Sequence, residues 1–323
     1  MLKPLSISLR KARAKLPFWL KIARLQFYPM ALTAYSVGSA CAFISSPGFN
    51  FSVYVVGYIV LFFVEFSTIL ANEYYDYEAD RHNRNFSLFT GGTRVLVDGG
   101  LRRHEVKIGI FLGLLLVTGF ACLLVRIEKG VSPLLTFILI ALGVFLGLGY
   151  TVPPLKFSYR GVGEVVVGAT HSTYLILCGY TFQTGTWSHP LPWLLSVPLF
   201  FSVLAANTLA GLPDRLSDMV VSKKSFAVTF GPKKAVAMAA CFAGVAALSA
   251  SWIWFYHARG WTLGVEMATV LFHGVILLLA LFKLMRSNDL DKRIDRIMAL
   301  SLSYIIWFGL IPIIAMLWIK NLS

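Results

Sequence analysis

Nine apolar stretches, each close to the length that crosses a bilayer, leave this chain few ways to fold. They run over 24–46, 51–75, 107–126, 131–150, 162–183, 190–211, 234–257, 263–284 and 297–319. A helix needs about 20 apolar residues to span the hydrocarbon, where each backbone polar group must be satisfied within its own segment. Only 14% of the residues are charged and 57% are hydrophobic, against roughly 25% charged in a soluble domain. The reading is an all-α integral membrane protein with about nine transmembrane helices. Pro190, Pro192 and Pro198 crowd the sixth stretch and make its start the hardest to place.

The basic residues orient these helices. With nine spans and a cytoplasmic N-terminus, all of the 29 Lys and Arg fall on the cytoplasmic side except Arg126, Lys129, Arg259 and Lys320. The C-terminal Ser323 then lies outside, and in a prokaryote the membrane is the cytoplasmic one. The net charge of +14 is accounted for by this rule and by anionic lipid headgroups, so no nucleic-acid partner is needed. Residues 8–22 read as a short basic amphipathic segment on the cytoplasmic face. No small-residue cleavage site precedes the first apolar run, which speaks against a cleaved signal peptide. The expected organisation is a basic cytoplasmic segment over 1–23 and one membrane domain over 24–323. Cys41, Cys122, Cys178 and Cys241 lie in separate apolar stretches and read as small core residues.

Non-membrane sequence is concentrated in two cytoplasmic loops, 76–106 and 212–233. The first begins with Asn72, Asp76 and Asp80 at i, i+4 and i+8, a spacing that keeps three oxygen-bearing side chains on one helix face. Glu65 and Thr68 extend that stripe into the membrane. The second loop carries Asp214 and Asp218, again i and i+4, followed by Lys223 and Lys224. Carboxylates and an amide without His or Cys suit Mg²⁺. Arg94, Lys156, Arg160 and Lys223 then face phosphate oxygens outside the metal shell. Such residues also occur as solvated helix caps, but two such motifs on one face favour a functional reading, because ionisable groups at the membrane edge are costly. A transporter whose polar stripe lines a substrate path is the rival class. Transporters place their polar sites near the bilayer midplane, whereas these acids sit at helix ends.

Other features have plainer readings. His171 and Glu164, seven apart, are expected to share a face and to form an interhelical hydrogen bond or meet a substrate. Trp252, Trp254 and Tyr256 read as an interfacial belt, and Asp289, Asp291 and Asp295 as a solvated loop. Gly91-Gly92 and Gly161/Gly163 lack the strand–helix setting of a dinucleotide site.

The run NEYYDYEAD followed by LFTGGTRVL resembles the first Asp-rich motif of the UbiA superfamily of intramembrane aromatic prenyltransferases. LGYTVPPLKFSYRGVGE is similar to that family's connection between its fourth and fifth helices, and LPDRLSDMVVSKKSFAVTFG to its second motif. The resemblance implies helices around a central cavity open to the cytoplasmic side, and a 24–323 region that is a single prenyltransferase domain. The implied reaction is Mg²⁺-dependent transfer of a polyprenyl group from a prenyl diphosphate to an aromatic acceptor. GGTRVL most resembles enzymes that prenylate dihydroxynaphthoate for menaquinone; a lipid glyceryl phosphate, a porphyrin or another ring is the alternative acceptor within the family. By the same resemblance Asn72, Asp76 and Asp80 hold one metal–diphosphate edge and Asp214 and Asp218 the other. Arg94, Lys156 and Lys223 hold the diphosphate and Tyr150 lies near the cleaved C1–O bond, whereas Glu65, from its place on the polar stripe alone, is expected to meet substrate or to form an interhelical hydrogen bond. Three features depart from the family pattern: Glu73 stands where an Asp is common, the second motif reads GLPDRLSD where the naphthoate enzymes more often show Asn and Arg before the Asp, and Ser222 stands where a Gly is usual.

Overall fold

A computed structural model describes residues 14–46, 48–257, 261–287 and 289–322, and all the regular structure among them is helical. A short helix α1 (residues 14–22) leads into α2 (Tyr28–Ser45), followed by α3 (Phe51–Tyr75) and the short α4 (Tyr77–His82). Next come α5 (Arg103–Ile127), α6 (Pro133–Gly149), α7 (Gly163–Ala169) and α8 (Leu175–Thr184). The chain continues through α9 (Pro190–Val220), α10 (Phe226–Phe230), α11 (Pro232–His257), α12 (Trp261–Met285) and α13 (Asp295–Leu322). Among the described residues eight spans are long and apolar enough to cross a membrane, with α7 and α8 forming one of them, and the 17-residue α6 is a shorter apolar helix. The chain is therefore a multi-pass membrane protein, and the nine apolar stretches correspond to these helices.

Close helix contact depends on small residues, since lipid supplies no hydrophobic force between helices. A Cβ on Gly38 of α2 would collide with the Ile176 carbonyl of α8, and one on Gly179 of α8 with the Tyr35 carbonyl of α2. At one end of the bundle the Asn50 side chain caps α3 by accepting from Val53 N (3.2 Å). Gln183 then joins α8 to this turn, accepting from Asn50 N (2.9 Å) and donating to its carbonyl (3.0 Å).

The sequence expectations are corrected in several places. Pro190 starts the sixth span, occupying the first turn of α9 where the missing N–H is unpaired in any case, and the helix runs on through Pro198 in its interior. That helix also runs on to Val220, so Asp214 and Asp218 sit in its last turns and not in a loop. Trp254 is buried, although Trp252 and Tyr256 are exposed. Cys41 and Cys178 are buried, whereas Cys122 and Cys241 are exposed. Asp291 is not simply solvated, because its carboxylate accepts two bonds from Arg215 (3.1 and 3.2 Å) and its carbonyl accepts one from Asn85 (2.8 Å). Of the basic segment, residues 8–13 lie outside the described region, as does Ser323. Residues 14–22 are helical and do more than lie on a surface: Ile22 is fully buried and Trp19 lies against Gly109 of α5.

Candidate active site

Helices α2, α3, α6, α7, α9 and α13 surround a cavity of about 310 Å³. Asn72, Asp76, Asp80, Asp214, Asp218, Lys223, Tyr150 and Glu65 all line it. The first motif is not one unbroken helix, since α3 ends at Tyr75 and Asp76 turns the chain into α4. The helical hydrogen-bond spacing nevertheless continues across the turn, with Asp76 N donating to Asn72 O (2.8 Å) and Asp80 N to Asp76 O (2.9 Å). All three side chains thus keep to one face.

Lys223 joins the two motifs. Its ammonium lies 2.8 Å from Asp76 and 3.9 Å from Asp218, and Tyr159 donates to the other Asp76 oxygen (2.9 Å). Burial acts to lower this lysine's pKa, but the two carboxylates outweigh it and hold the ammonium well above the usual range. Asp214 is fixed from the opposite motif, accepting from Asn83 Nδ2 (2.7 Å) and Gly91 N (3.2 Å). Asp80 is pushed up to about 8, first by burial and then by Glu73 and Asp76. Charge crowding of this kind is relieved when a cation joins the carboxylates.

The donor set fits a hard divalent ion. It is all oxygen, and Asn72 Oδ1 is buried with no hydrogen-bond partner, as expected of an atom reserved for a ligand. Among the described residues no three His, Cys, Asp or Glu groups converge on one point. An ion here needs further oxygens from substrate or water, the usual coordination of Mg²⁺.

The loop over 83–94 roofs the cavity and is held by residues that spacing alone did not single out. Glu73 lies close to Asp80 but is taken up by other partners. It accepts from Thr93 N (2.8 Å) and Thr93 Oγ1 (2.6 Å), and pairs with Arg24 at 3.3 Å. Gly91 and Gly92 have φ of +79° and +68°, and a Cβ on Gly92 would collide with the Asp80 carboxylate. Glycine is required there by both the left-handed backbone and the close approach. Among the described residues four non-glycine residues also have positive φ, namely Arg24, Arg94, Lys156 and Ser222. All four border this region, where strain of this kind tends to collect. The φ of +57° at Ser222 gives a physical reason for the family's usual Gly.

The other basic residues are placed differently. Arg94 donates to the carbonyls of Asp80 (3.0 Å) and Asn83 (3.4 Å) and lies over the Phe86 ring. Lys156 stacks on Tyr159 at 3.8 Å from the ring centroid, and Arg160 donates to Pro154 O (2.7 Å). None of the three lines the cavity. Glu164 and His171 do not meet: Glu164 is buried against α10, accepting from Phe226 N (2.6 Å), whereas His171 lines the cavity. The cavity residues that the sequence reading did not single out include Arg24, Asn83 and Asn207. Asn207 stands seven residues before Asp214, just as Glu65 stands seven before Asn72, so the same spacing rule would have found it.

The UbiA prenyltransferase family model matches residues 31–318 of this chain. A curated relative, the 1,4-dihydroxy-2-naphthoate octaprenyltransferase of Bacillus subtilis (strain 168), is 28% identical over 192 residues. That match spans 59% of this chain and 57% of the relative, little more than half of its length. The apo structure of a UbiA homolog from Aeropyrum pernix K1 superposes with a TM-score of 0.67 at 15% identity, covering 91% of this chain and 98% of that one. A UbiA homolog from Archaeoglobus fulgidus bound to GPP and Mg²⁺ gives 0.66 at 17% identity, covering 91% and 99%. At these identities the likeness to the solved structures is one of fold.

Proposed function

The chain belongs to the UbiA prenyltransferase family, and from that premise we propose that it transfers a polyprenyl group from its diphosphate to an aromatic quinone precursor. The observation that carries this reading is the meeting of the two acidic motifs across one cavity with Lys223 between them. Asn72, Asp76 and Asp80 on one wall, and Asp214 and Asp218 on the other, would hold Mg²⁺ together with the substrate diphosphate. When bound, the metal supplies positive charge that stabilises the departing diphosphate.

The residues of the chain do the rest. Lys223 occupies the place of a cation between Asp76 and Asp218 and is positioned to turn its ammonium toward phosphate oxygens. Asn83 and Gly91 keep Asp214 in register. Tyr150 lines the same cavity as the acids, and its ring would stabilise the allylic carbon as positive charge develops there. The apolar wall formed by Leu61, Val64, Val203 and Ile305 excludes water, which would otherwise capture the carbocation as an alcohol. Arg24, already paired with Glu73, lies at the cavity rim and gives an acidic acceptor a place for its carboxylate. The acceptor best supported is dihydroxynaphthoate, from the GGTRVL resemblance and the curated relative's name. We place the motif loops on the cytoplasmic side, and read 24–323 as one catalytic domain preceded by the basic segment.

The test is incubation of the purified protein with Mg²⁺, prenyl diphosphates of several lengths, and dihydroxynaphthoate or 4-hydroxybenzoate, with products identified by mass. The expected result is a Mg²⁺-dependent prenylated naphthalene formed in preference to the benzoate product. A clear preference for the benzoate overturns the acceptor, and no prenylated product from any acceptor overturns the reading.

A further inference from the structure

Deep in the cavity, two titratable groups face each other and take no part in the diphosphate chemistry. Glu65 on α3 lies two helical turns below Asn72, about 10 Å along the axis. His171 lies across from it, with Nε2 at 3.9 Å from Glu65 Oε1. Both line the cavity, and the His171 side chain is 27% exposed to it.

The contacts of His171 orient its ring. Its Nδ1 lies 3.2 Å from both the Val167 carbonyl and Thr170 Oγ1, which leaves Nε2 as the nitrogen that faces Glu65. The pair sits in a wall formed by Leu61, Val64 and Leu175, where a hydroxyl entering the cavity would meet a carboxylate backed by an imidazole. The backbone adds a second, independent sign. Residues Thr170–Tyr174 form a π-helical turn between α7 and α8, the kind of local widening that recurs at functional sites. This turn presents His171 to the cavity, although Glu164 seven residues earlier points elsewhere.

We propose that Glu65 and His171 are the acceptor end of the site: Glu65 receives the hydrogen bond of a ring hydroxyl and takes its proton during attack, while His171 positions Glu65 and shares that proton. The inference deepens the prenyl-transfer reading and rests on it. As the hydroxyl proton passes to Glu65, the ring carbon ortho to the hydroxyl donates an electron pair to C1 of the prenyl group. The C1–O electron pair leaves with the diphosphate, and a neutral dienone results in place of a cationic ring. Glu65 then returns its proton to the ring oxygen, and the proton on the newly bonded carbon leaves to water or diphosphate. One proton is released for each bond formed. The same arrangement sets specificity. A carboxylate placed against Glu65 would meet like charge, so an acidic acceptor enters with its hydroxyl inward and its carboxylate toward Arg24.

The experiment compares wild type and Glu65→Gln with dihydroxynaphthoate and its O-methyl ethers, measuring both prenyl transfer and direct binding by ligand fluorescence. Glu65→Gln is expected to lose roughly a hundredfold in turnover, the lower range for a general base, with KM for prenyl diphosphate and the Mg²⁺ dependence unchanged. The wild type should bind the hydroxyl form at least tenfold more tightly than the ether, and Glu65→Gln should lose most of that preference. Turnover in Glu65→Gln within threefold of wild type overturns the proposal, as does wild-type binding that ignores methylation. If no acceptor is prenylated at all, the transfer reading fails by itself. The hydroxyl-to-ether binding ratio of the wild type, which needs neither turnover nor a folded variant, then decides this inference.

Discussion

Replacing Glu73 with Gln probes how the roof loop is held. The wild-type carboxylate is 3% exposed and has three partners: two donors from Thr93 at 2.8 and 2.6 Å and the Arg24 guanidinium at 3.3 Å. Gln keeps the volume but has one acceptor oxygen in place of two, and its NH₂ must face either a donor or a cation. One charge-assisted hydrogen bond is lost, worth about 1.5–3 kcal/mol, and Arg24 is left beside a neutral group. Removing one member of a buried pair costs about 3–5 kcal/mol in all. At roughly 2 °C per kcal/mol for a chain of this size, the melting temperature should fall by about 5–10 °C. Activity should fall as well, because the loop that carries Thr93 also carries the Gly91 N–H that holds Asp214. A thermal-shift measurement in detergent, paired with the prenyl-transfer assay, checks both. A melting temperature within 1 °C of wild type with full activity would show that the clamp does not hold the loop.

Ser222→Gly should stabilise the protein by about 1 kcal/mol, since glycine adopts the left-handed backbone without the Cβ penalty; a small rise in melting temperature checks it. Gly38→Val should destabilise by several kcal/mol, because its side chain meets the Ile176 carbonyl and α2 must move off α8; loss of folded protein on size exclusion is the readout. Lys223→Met should raise KM for prenyl diphosphate at least tenfold, because the cation beside Asp76 and Asp218 is gone, and a titration of diphosphate against rate measures this. Single cysteines placed near Asp80 should be labelled from the cytoplasmic side only, and labelling from the other side alone would reverse the orientation.

The spans were legible because apolar length and charge placement are local properties of the chain. The acids were legible because i, i+4 spacing survives folding even where α3 breaks at Asp76. Glu73 was not, because its role depends on Thr93 in a loop twenty residues away that folds back onto the helix. Arg94, Lys156 and Arg160 read as phosphate ligands from charge, and the first two also from the resemblance, whereas the partners they hold here are carbonyls and an aromatic face, which charge and spacing do not reveal. The relation between Glu164 and His171 was hidden by the π-turn, which breaks the 3.6-residue period on which the shared face was reckoned. Asp291 looked solvated because the acids of DLDKRIDR alternate with basic neighbours, whereas Arg215 reaches it from α9.

The central claim is that the two acidic motifs act as one site, and substitution of Asp76 and Asp214 by Asn tests it most directly. Each change removes a charge at nearly constant volume, and Lys223 keeps Asp218 as a partner, so folding should survive. Each single variant should lose roughly a hundredfold or more in turnover across a Mg²⁺ titration, a few kcal/mol of transition-state stabilisation. The double variant should be scarcely worse than either single, as for groups that work as a unit. Near wild-type turnover in folded Asp76→Asn, or losses that simply multiply in the double, would contradict the account.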